Sequence, residues 1–279
     1  MTDPVAPAGS IPPILLVGCG RMGSAMLSGW RERGLAPSVA VDPAPSAAAM
    51  AGADLTVVGE ATAIPVGFTP AAVVLAVKPQ SAADALPPHA RFAGGPEGGS
   101  VFLSIMAGRT ISGIRALLGD TATIVRAMPN TPAAVRQAVT VACPGAGVTP
   151  DQRALCHTLL EAIGKVAWVD DEGLLDPVTA VSGSGPAYVF LLAELMEQAA
   201  IEQGIPADLA RLLARQTVSG SGALLAASTE DAAALRKAVT SPAGTTERAL
   251  QVLMAADAWP LAMQRAIDAA TKRSRELAG

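Results

Sequence analysis

The sequence predicts an α/β domain built on a mostly parallel sheet, followed by an all-helical domain. Two observations carry this. Up to about residue 169, short continuously apolar runs of strand length alternate with helical patterns, as a sheet covered on both faces requires. From Glu172 onward there is no convincing strand, and helical periodicity takes over. A length of 279 residues agrees with two domains. The expected division is a loose tail over 1–13, an α/β domain over 14–169 and a helical domain over 170–279.

The elements follow in order. Ile14–Val17 is a first strand, and Ser24–Arg33 has helical character closed by Gly34 and Pro37. Val39–Val41 is a second strand ending at Asp42, and Ala72–Val77 another that stops at Lys78-Pro79. Val101–Ile105, Thr123–Ala127 and Ala138–Ala142 are further β-rich stretches, with helical patterns at Thr110–Leu118 and Asp151–Ile163. Gly94–Gly99 reads as a Gly/Pro-rich loop. In the second half, Ala187–Gln203, Ala207–Ala227, Thr245–Ala256 and Pro260–Leu277 read as helices, broken at Gly204-Ile205-Pro206 and at Trp259-Pro260.

Composition narrows the function. The chain is 51% apolar and only 16% charged, against about 25% charged in an average soluble chain. Disorder is excluded, since it needs the opposite balance. A membrane helix needs about 20 mostly apolar residues in a row; the best run, around Ala187–Met196, contains Glu194 and is followed by Glu197. No membrane span is therefore expected. A net charge of −4 without a basic stripe gives no footprint for nucleic acid. Cys19, Cys143 and Cys156 lack the spacing of a zinc site or a disulfide framework. Met1–Pro13 has neither basic nor apolar signal-peptide regions, so a cytoplasmic location is the expectation.

The chemistry begins at Gly18-Cys19-Gly20-Arg21-Met22-Gly23, which lies between a predicted strand and a predicted helix. That context makes G-x-G-x-x-G a dinucleotide fingerprint. The first glycine permits the turn, the second lets a pyrophosphate approach the backbone, and the third lets helix and strand pack. Asp42 falls 19 residues after Gly23, at the end of the second strand. A carboxylate there accepts from a ribose 2′-hydroxyl and repels a 2′-phosphate, which leans toward NADH. A loop aspartate ahead of Pro43 is the structural alternative.

Several phrases then stand in one order: Ala76-Val77-Lys78-Pro79, Ser104-Ile105-Met106-Ala107-Gly108, Met128-Pro129-Asn130-Thr131-Pro132, Ser182-Gly183-Ser184-Gly185-Pro186-Ala187-Tyr188 and Val239-Thr240-Ser241-Pro242-Ala243-Gly244-Thr245-Thr246. In that order and spacing, from about Ile14 to Glu276, the chain resembles the pyrroline-5-carboxylate reductases. The resemblance implies a Rossmann-type domain followed by a helical domain that dimerises, and reduction of 1-pyrroline-5-carboxylate to L-proline by NADPH or NADH. It implies that the cofactor binds along Gly18, Cys19, Gly20, Arg21, Met22, Gly23 and Ala76, Val77, Lys78, Pro79, with Asn130. Ser241, Gly244, Thr245 and Thr246 would hold the substrate, facing the nicotinamide site of the partner subunit, with the Thr246 hydroxyl on the ring nitrogen.

Ser241–Gly244 reads as a turn into a helix that starts near Thr245. Such a start presents unpaired N–H groups and a positive dipole end, worth roughly 0.3–2 kcal/mol to a carboxylate. An ordinary capped helix is the structural alternative. The glycines and serines of Ser182–Pro186 serve close packing, approach to the nicotinamide, or both. Two departures from the family stand out. Arg21 takes the place of a common asparagine, and Asp231–Ala238 lacks the His-Pro and acidic residues often seen before the substrate loop. Many relatives prefer NADPH, against the lean from Asp42, and both cofactors stay open.

A protonated imine is already electrophilic, so no metal or strong acid is obligatory. The histidines agree with that: His89 and His157 both read as surface residues. Two rivals remain. A β-hydroxyacid dehydrogenase would need a catalytic lysine in the helical half, where only Lys237 and Lys272 occur. A non-catalytic nucleotide sensor would not need the Ser241–Thr246 loop. The apolar excess concentrates in Val189–Met196, greasy on nearly every side, and such a helix must be buried all round. With the small residues Ser219-Gly220-Ser221-Gly222 on the next helix, this predicts an intersubunit core in an obligate homodimer.

Overall fold

Eight strands build one sheet: β1 Ile14–Val17, β2 Ser38–Val41, β3 Leu55–Val58, β4 Ala72–Leu75, β5 Val101–Ser104, β6 Thr123–Met128, β7 Ala138–Pro144 and β8 Gly164–Trp168. The computed structural model describes residues 10–94 and 99–278. The order is β3-β2-β1-β4-β5-β6-β7-β8. Every neighbouring pair is parallel except β6 with β7. The helices are α1 Arg21–Glu32, α2 Ala82–Ala85, α3 Ile111–Leu118, α4 Pro150–Glu161, α5 Leu175–Val178, α6 Gly185–Glu202, α7 Ala207–Ala227, α8 Ala232–Ala238, α9 Thr245–Leu253 and α10 Trp259–Ala278.

The central strands are buried along their whole length, so alternate residues feed two separate cores. Ile14 and Leu16 join one with Met26, Trp30, Leu159 and Ile163. Leu15 and Val17 join the other with Phe102, Ile114 and Leu118. Each buried leucine or isoleucine contributes about 1.5–3 kcal/mol. Trp30 is fully buried, and its indole N–H donates to the Leu159 carbonyl at 2.8 Å, which ties α1 to α4.

Two strands were not expected, and both are sheet edges. β3 buries only Leu55 fully, and β8 alternates exposed Lys165 and Ala167 with half-buried neighbours. Neither offers a continuous apolar run. The first helix begins at Arg21 rather than Ser24, because Gly20 itself is its N-cap. The expected tail shortens as well. Ile11 is fully buried, its N–H donates to Gly34 O, and Pro13 O accepts from Ala71 N–H. Residues 1–9, and 95–98 of the Gly/Pro-rich loop, lie outside the described residues.

By contacts the chain forms two compact units, Met1–Gly183 with Thr271–Gly279, and Ser184–Ala270. The sequence changes character near 170, but the segment that follows stays with the sheet. Buried Arg126 on β6 pairs with Glu172 at 2.9 Å, and the same carboxylate oxygen accepts the Ile111 N–H at 2.8 Å. Leu175 and Ala180 are fully buried. Ser274 near the chain end donates to Asp176 at 2.6 Å.

The second unit contains α6 to α9 and the first turns of α10. Helices α6 and α7 pack together, yet α6 has no buried residue and α7 buries only Ala210 and Ala214. Phe190, Leu195, Leu212, Leu224 and Val252 are all exposed. One helical stretch among the described residues, Glu172–Glu202, is long and apolar enough to cross a membrane by length and composition, with 6% of its apolar window buried. The expectation of no such segment is corrected here. The Thr, Ser and Gly residues between Val178 and Ala187 interrupt its apolar run.

Candidate cofactor and substrate sites

The glycine loop sits at the carboxyl end of β1, where the strand order reverses between β1 and β4. Ligands of doubly wound sheets bind at such a switch point. Gly18 has φ +98°, and a Cβ there would stand 2.8 Å from the Ala76 carbonyl. A Cβ on Gly23 would overlap the Gly18 carbonyl oxygen and touch Ala76 Cβ at 3.4 Å. These two glycines therefore press β1, α1 and the β4 exit together, with Val77 N also beside Gly18. Gly20 differs: a Cβ there would meet nothing within 4 Å. It leaves an open cradle over the start of α1, whose N-cap has no side-chain hydrogen bond and whose first-turn N–H groups face it.

Around that cradle, Arg21 is exposed, Met22 half-buried and Cys19 buried. Burial, together with the Asp42 carboxylate, pushes the Cys19 thiol up to about 11, so it is no nucleophile at neutral pH. Asp42 leaves β2 directly. Its Oδ2 accepts the Cys19 N–H at 2.6 Å and its Oδ1 accepts the Ala44 N–H at 2.8 Å. The carboxylate is both a turn brace and part of the glycine loop. After β4, Lys78 is exposed and Pro79 half-buried. The Pro79 carbonyl accepts two hydrogen bonds from the Arg109 guanidinium, at 3.0 and 2.8 Å. Sequence reasoning passed over Arg109, which follows the Ser104–Gly108 phrase and carries no motif signal of its own.

Asn130 stands after β6, buried, with its side chain engaged on both ends. Its amide donates to Ser182 O at 3.1 Å and its oxygen accepts the Val139 N–H at 3.0 Å. Ser182 lies in a wide π turn over Thr179–Gly183, and a Cβ on Gly183 would stand 2.9 Å from Met128 Cε. The Asn130 amide and the Gly183 contact favour packing for this phrase.

In the helical unit, Gly244 is the N-cap of α9, with Thr245, Thr246 and Glu247 as its first turn. Ser241 O accepts the Gly244 N–H at 3.0 Å, and a Cβ on Gly244 would stand 2.5 Å from Ser241 Oγ. Ala243 is held left-handed at φ +57°, and its N–H donates to Glu247 Oε2 at 2.8 Å. No side chain caps α9 at Gly244. The loop thus presents the helix start itself, with Thr246 half-buried on it. Glu247 was not singled out, although a glutamate three residues after the cap is a capping signal.

His89 is corrected from surface to core: it is 1% exposed in the turn after α2, and burial with the nearby Arg91 pulls its pKa down to about 4. His157 is half-buried, and its Nδ1 accepts the Trp168 indole N–H at 3.2 Å. Among the described residues no cluster of His, Cys, Asp and Glu could hold a metal.

A pyrroline-5-carboxylate reductase from Pseudomonas aeruginosa is 38% identical over 275 residues, covering 96% of this chain and 98% of that protein. The chain belongs to the pyrroline-5-carboxylate reductase family. A family model described as pyrroline-5-carboxylate reductase dimerisation matches residues 172–277, the stretch holding the exposed apolar helices. That match supports a homo-oligomer. The solved reductase from Coxiella burnetii superposes with a TM-score of 0.87 at 30% identity, covering 96% of this chain and 99% of that one. The Plasmodium falciparum enzyme, solved with NADP bound, shares the fold at TM-score 0.80 and 24% identity, covering 97% and 99%. As a member of this reductase family the chain is an NAD(P)H-dependent oxidoreductase, and the open cradle at Gly20 fits a dinucleotide pyrophosphate. Lys237, in the last turn of α8, and Lys272, on α10, are both exposed.

Proposed function

We propose that this chain reduces 1-pyrroline-5-carboxylate to L-proline in the cytoplasm, as the last step of proline biosynthesis, and works as a homodimer. Family membership over nearly the whole chain is the observation that carries the reaction. The local chemistry agrees with it. The reduced nicotinamide, when bound, supplies a hydride to the C=N carbon of the cyclic imine. The first-turn N–H groups of α1 bind the pyrophosphate above Gly20, with Arg21 and Met22 on the same turn. Ala76, Val77, Lys78 and Pro79 flank it. The uncapped start of α9, reached through Ser241 and Gly244, accepts the substrate carboxylate. The Thr245 and Thr246 N–H groups point along the helix axis toward that anion, and the dipole adds roughly 0.3–2 kcal/mol. The Thr246 hydroxyl hydrogen-bonds the ring nitrogen of the protonated imine by accepting its N–H, and hydride addition to the carbon then turns C=NH+ into CH–NH with no further proton required. The substrate loop of one protomer serves the nicotinamide of its partner. Asn130 acts on the cofactor through its hold on Ser182 rather than by a free amide.

Orientation of two bound reactants supplies on the order of 7–11 kcal/mol, out of about 8–23 that enzymes need. A site made of backbone donors and one hydroxyl is sufficient for an activated imine. The test is oxidation of NAD(P)H on adding 1-pyrroline-5-carboxylate; no turnover with either cofactor refutes the assignment. In the same assay Thr246→Ala lowers kcat about 10- to 100-fold, the loss of one hydrogen bond to the charged imine at about 1.5–3 kcal/mol, while cofactor affinity holds. Unchanged kinetics in that variant would remove Thr246 from the reaction. The dimer rests on α6, whose Val189, Phe190, Leu191 and Leu195 are 45–67% exposed. Dilution to a stable folded monomer would contradict it.

A further inference from the structure

We propose that Asp42 makes this chain select NADH over NADPH. The proposal rests on the dinucleotide reading of the glycine loop and adds the choice of cofactor. The Asp42 carboxylate is fixed at both oxygens, by the Cys19 N–H at 2.6 Å and the Ala44 N–H at 2.8 Å, while its own N–H donates to Val58 O at 3.0 Å. Each oxygen keeps a further lone pair for a hydroxyl. The negative charge is thus anchored to the glycine loop at the end of β2, where the adenosine ribose of a bound dinucleotide comes to lie. A ribose 2′-hydroxyl can donate to it. A 2′-phosphate is an acceptor only, and brings like charge against it.

Binding a phosphate there needs a compensating cation, and the segment after Asp42 has none: 43–51 reads Pro-Ala-Pro-Ser-Ala-Ala-Ala-Met-Ala. The guanidinium that reaches this segment, Arg31, donates to Met50 O at 2.6 Å and is committed to Asp54 at 2.7 and 2.9 Å. Arg21 stands on the first turn of α1 and Lys78 on the β4 exit, the positions that flank the pyrophosphate. Nothing from β2 to β3 offsets a second phosphate.

Calorimetric binding of ADP-ribose and 2′-phospho-ADP-ribose to the full-length protein reads this without turnover. The wild type is expected to bind ADP-ribose roughly 30-fold or more tighter. Asp42→Asn and Asp42→Ser are each expected to bring the ratio within about 3-fold, chiefly by raising affinity for the phosphorylated fragment. Equal affinities in the wild type, or a preference for 2′-phospho-ADP-ribose, overturn the proposal. So does an equal loss of both fragments in both variants, which would leave Asp42 a loop brace alone. Turnover of 1-pyrroline-5-carboxylate with NADPH favoured over NADH would overturn this proposal while leaving the reductase reading intact. Binding of neither fragment would remove the dinucleotide reading beneath it.

Discussion

Gly20 and Gly23 are three residues apart in one motif, yet the structure assigns them opposite costs. In Gly20→Ala the new methyl points into open space, with no atom within 4 Å, and the backbone at φ −66° and ψ −171° suits any residue. Stability should change by no more than about 0.5 kcal/mol. The methyl does occupy the cradle, so a pyrophosphate oxygen can no longer reach the first-turn N–H groups. Loss of one charge-assisted hydrogen bond, about 1.5–3 kcal/mol, predicts roughly 10- to 150-fold weaker dinucleotide binding. In Gly23→Ala the methyl overlaps the Gly18 carbonyl oxygen, and α1 must move off β1. Overpacking of this kind costs about 1–3 kcal/mol, and the helix start moves with it. That variant should lose both thermal stability and binding. The assay is a pair of thermal melts with a calorimetric titration of ADP-ribose for each protein. Wild-type binding by Gly20→Ala would refute the cradle, and a wild-type melt for Gly23→Ala would refute the contact.

Three further outcomes follow from the same geometry. Ala243→Gly relieves a left-handed residue, at about 1–2 kcal/mol of strain, offset by the added backbone freedom of glycine. A net gain of about 0.5 kcal/mol in urea unfolding is expected, with KM for the imine unchanged. Arg109→Ala removes both hydrogen bonds to Pro79 O and should raise KM for NAD(P)H several-fold more than KM for the imine, with partial rescue by Arg109→Lys. His89 is held neutral in the folded protein, with a pKa of about 4 against 6.5 unfolded. Its contribution is therefore complete above pH 6.5 and is lost as the pH falls toward 4. Unfolding midpoints measured at pH 4.5 and 7.5 should differ less in His89→Leu than in the wild type.

What the sequence made legible was whatever burial writes as an unbroken pattern. β1 and β4 are apolar at every position, and β5 at every position but Ser104, so their existence was plain. β3 and β8 were not, because an edge strand needs only one buried side, and Leu55-Thr56-Val57-Val58 and Gly164–Trp168 meet that need with mixed residues. The glycine loop was legible because its spacing encodes a steric demand, which Gly18 and Gly23 meet at the Ala76 backbone and the Gly18 carbonyl. The partner of Asp42 was not, since nothing in a sequence says that a carboxylate will take the Cys19 N–H. His89 misled because Pro-Pro-His looks like a surface turn, and Pro87 and Pro88 are indeed exposed, whereas His89 itself is buried with its N–H donating to the Leu86 carbonyl at 2.9 Å. Asp231, whose side chain accepts the Ala234 N–H at 2.7 Å, announced α8 by an ordinary N-cap signal.

The last turns of α10 belong to the sheet-bearing unit. Ser274 bonds Asp176, and Leu277 packs 3.1 Å from the Cβ that Gly108 lacks. Domains made on the ribosome generally fold from the N-terminus as they emerge, but the Asp176 and Gly108 contacts of this one wait for residues after Thr271. Its first strand is Ile14–Val17, and the Ser274 hydroxyl comes about 260 residues later in the chain. A nascent chain halted before Thr271 would carry every glycine of the nucleotide loop and still leave Asp176 without its hydroxyl partner. The stability of the sheet-bearing unit thus includes contacts made by residues far along the chain from its strands.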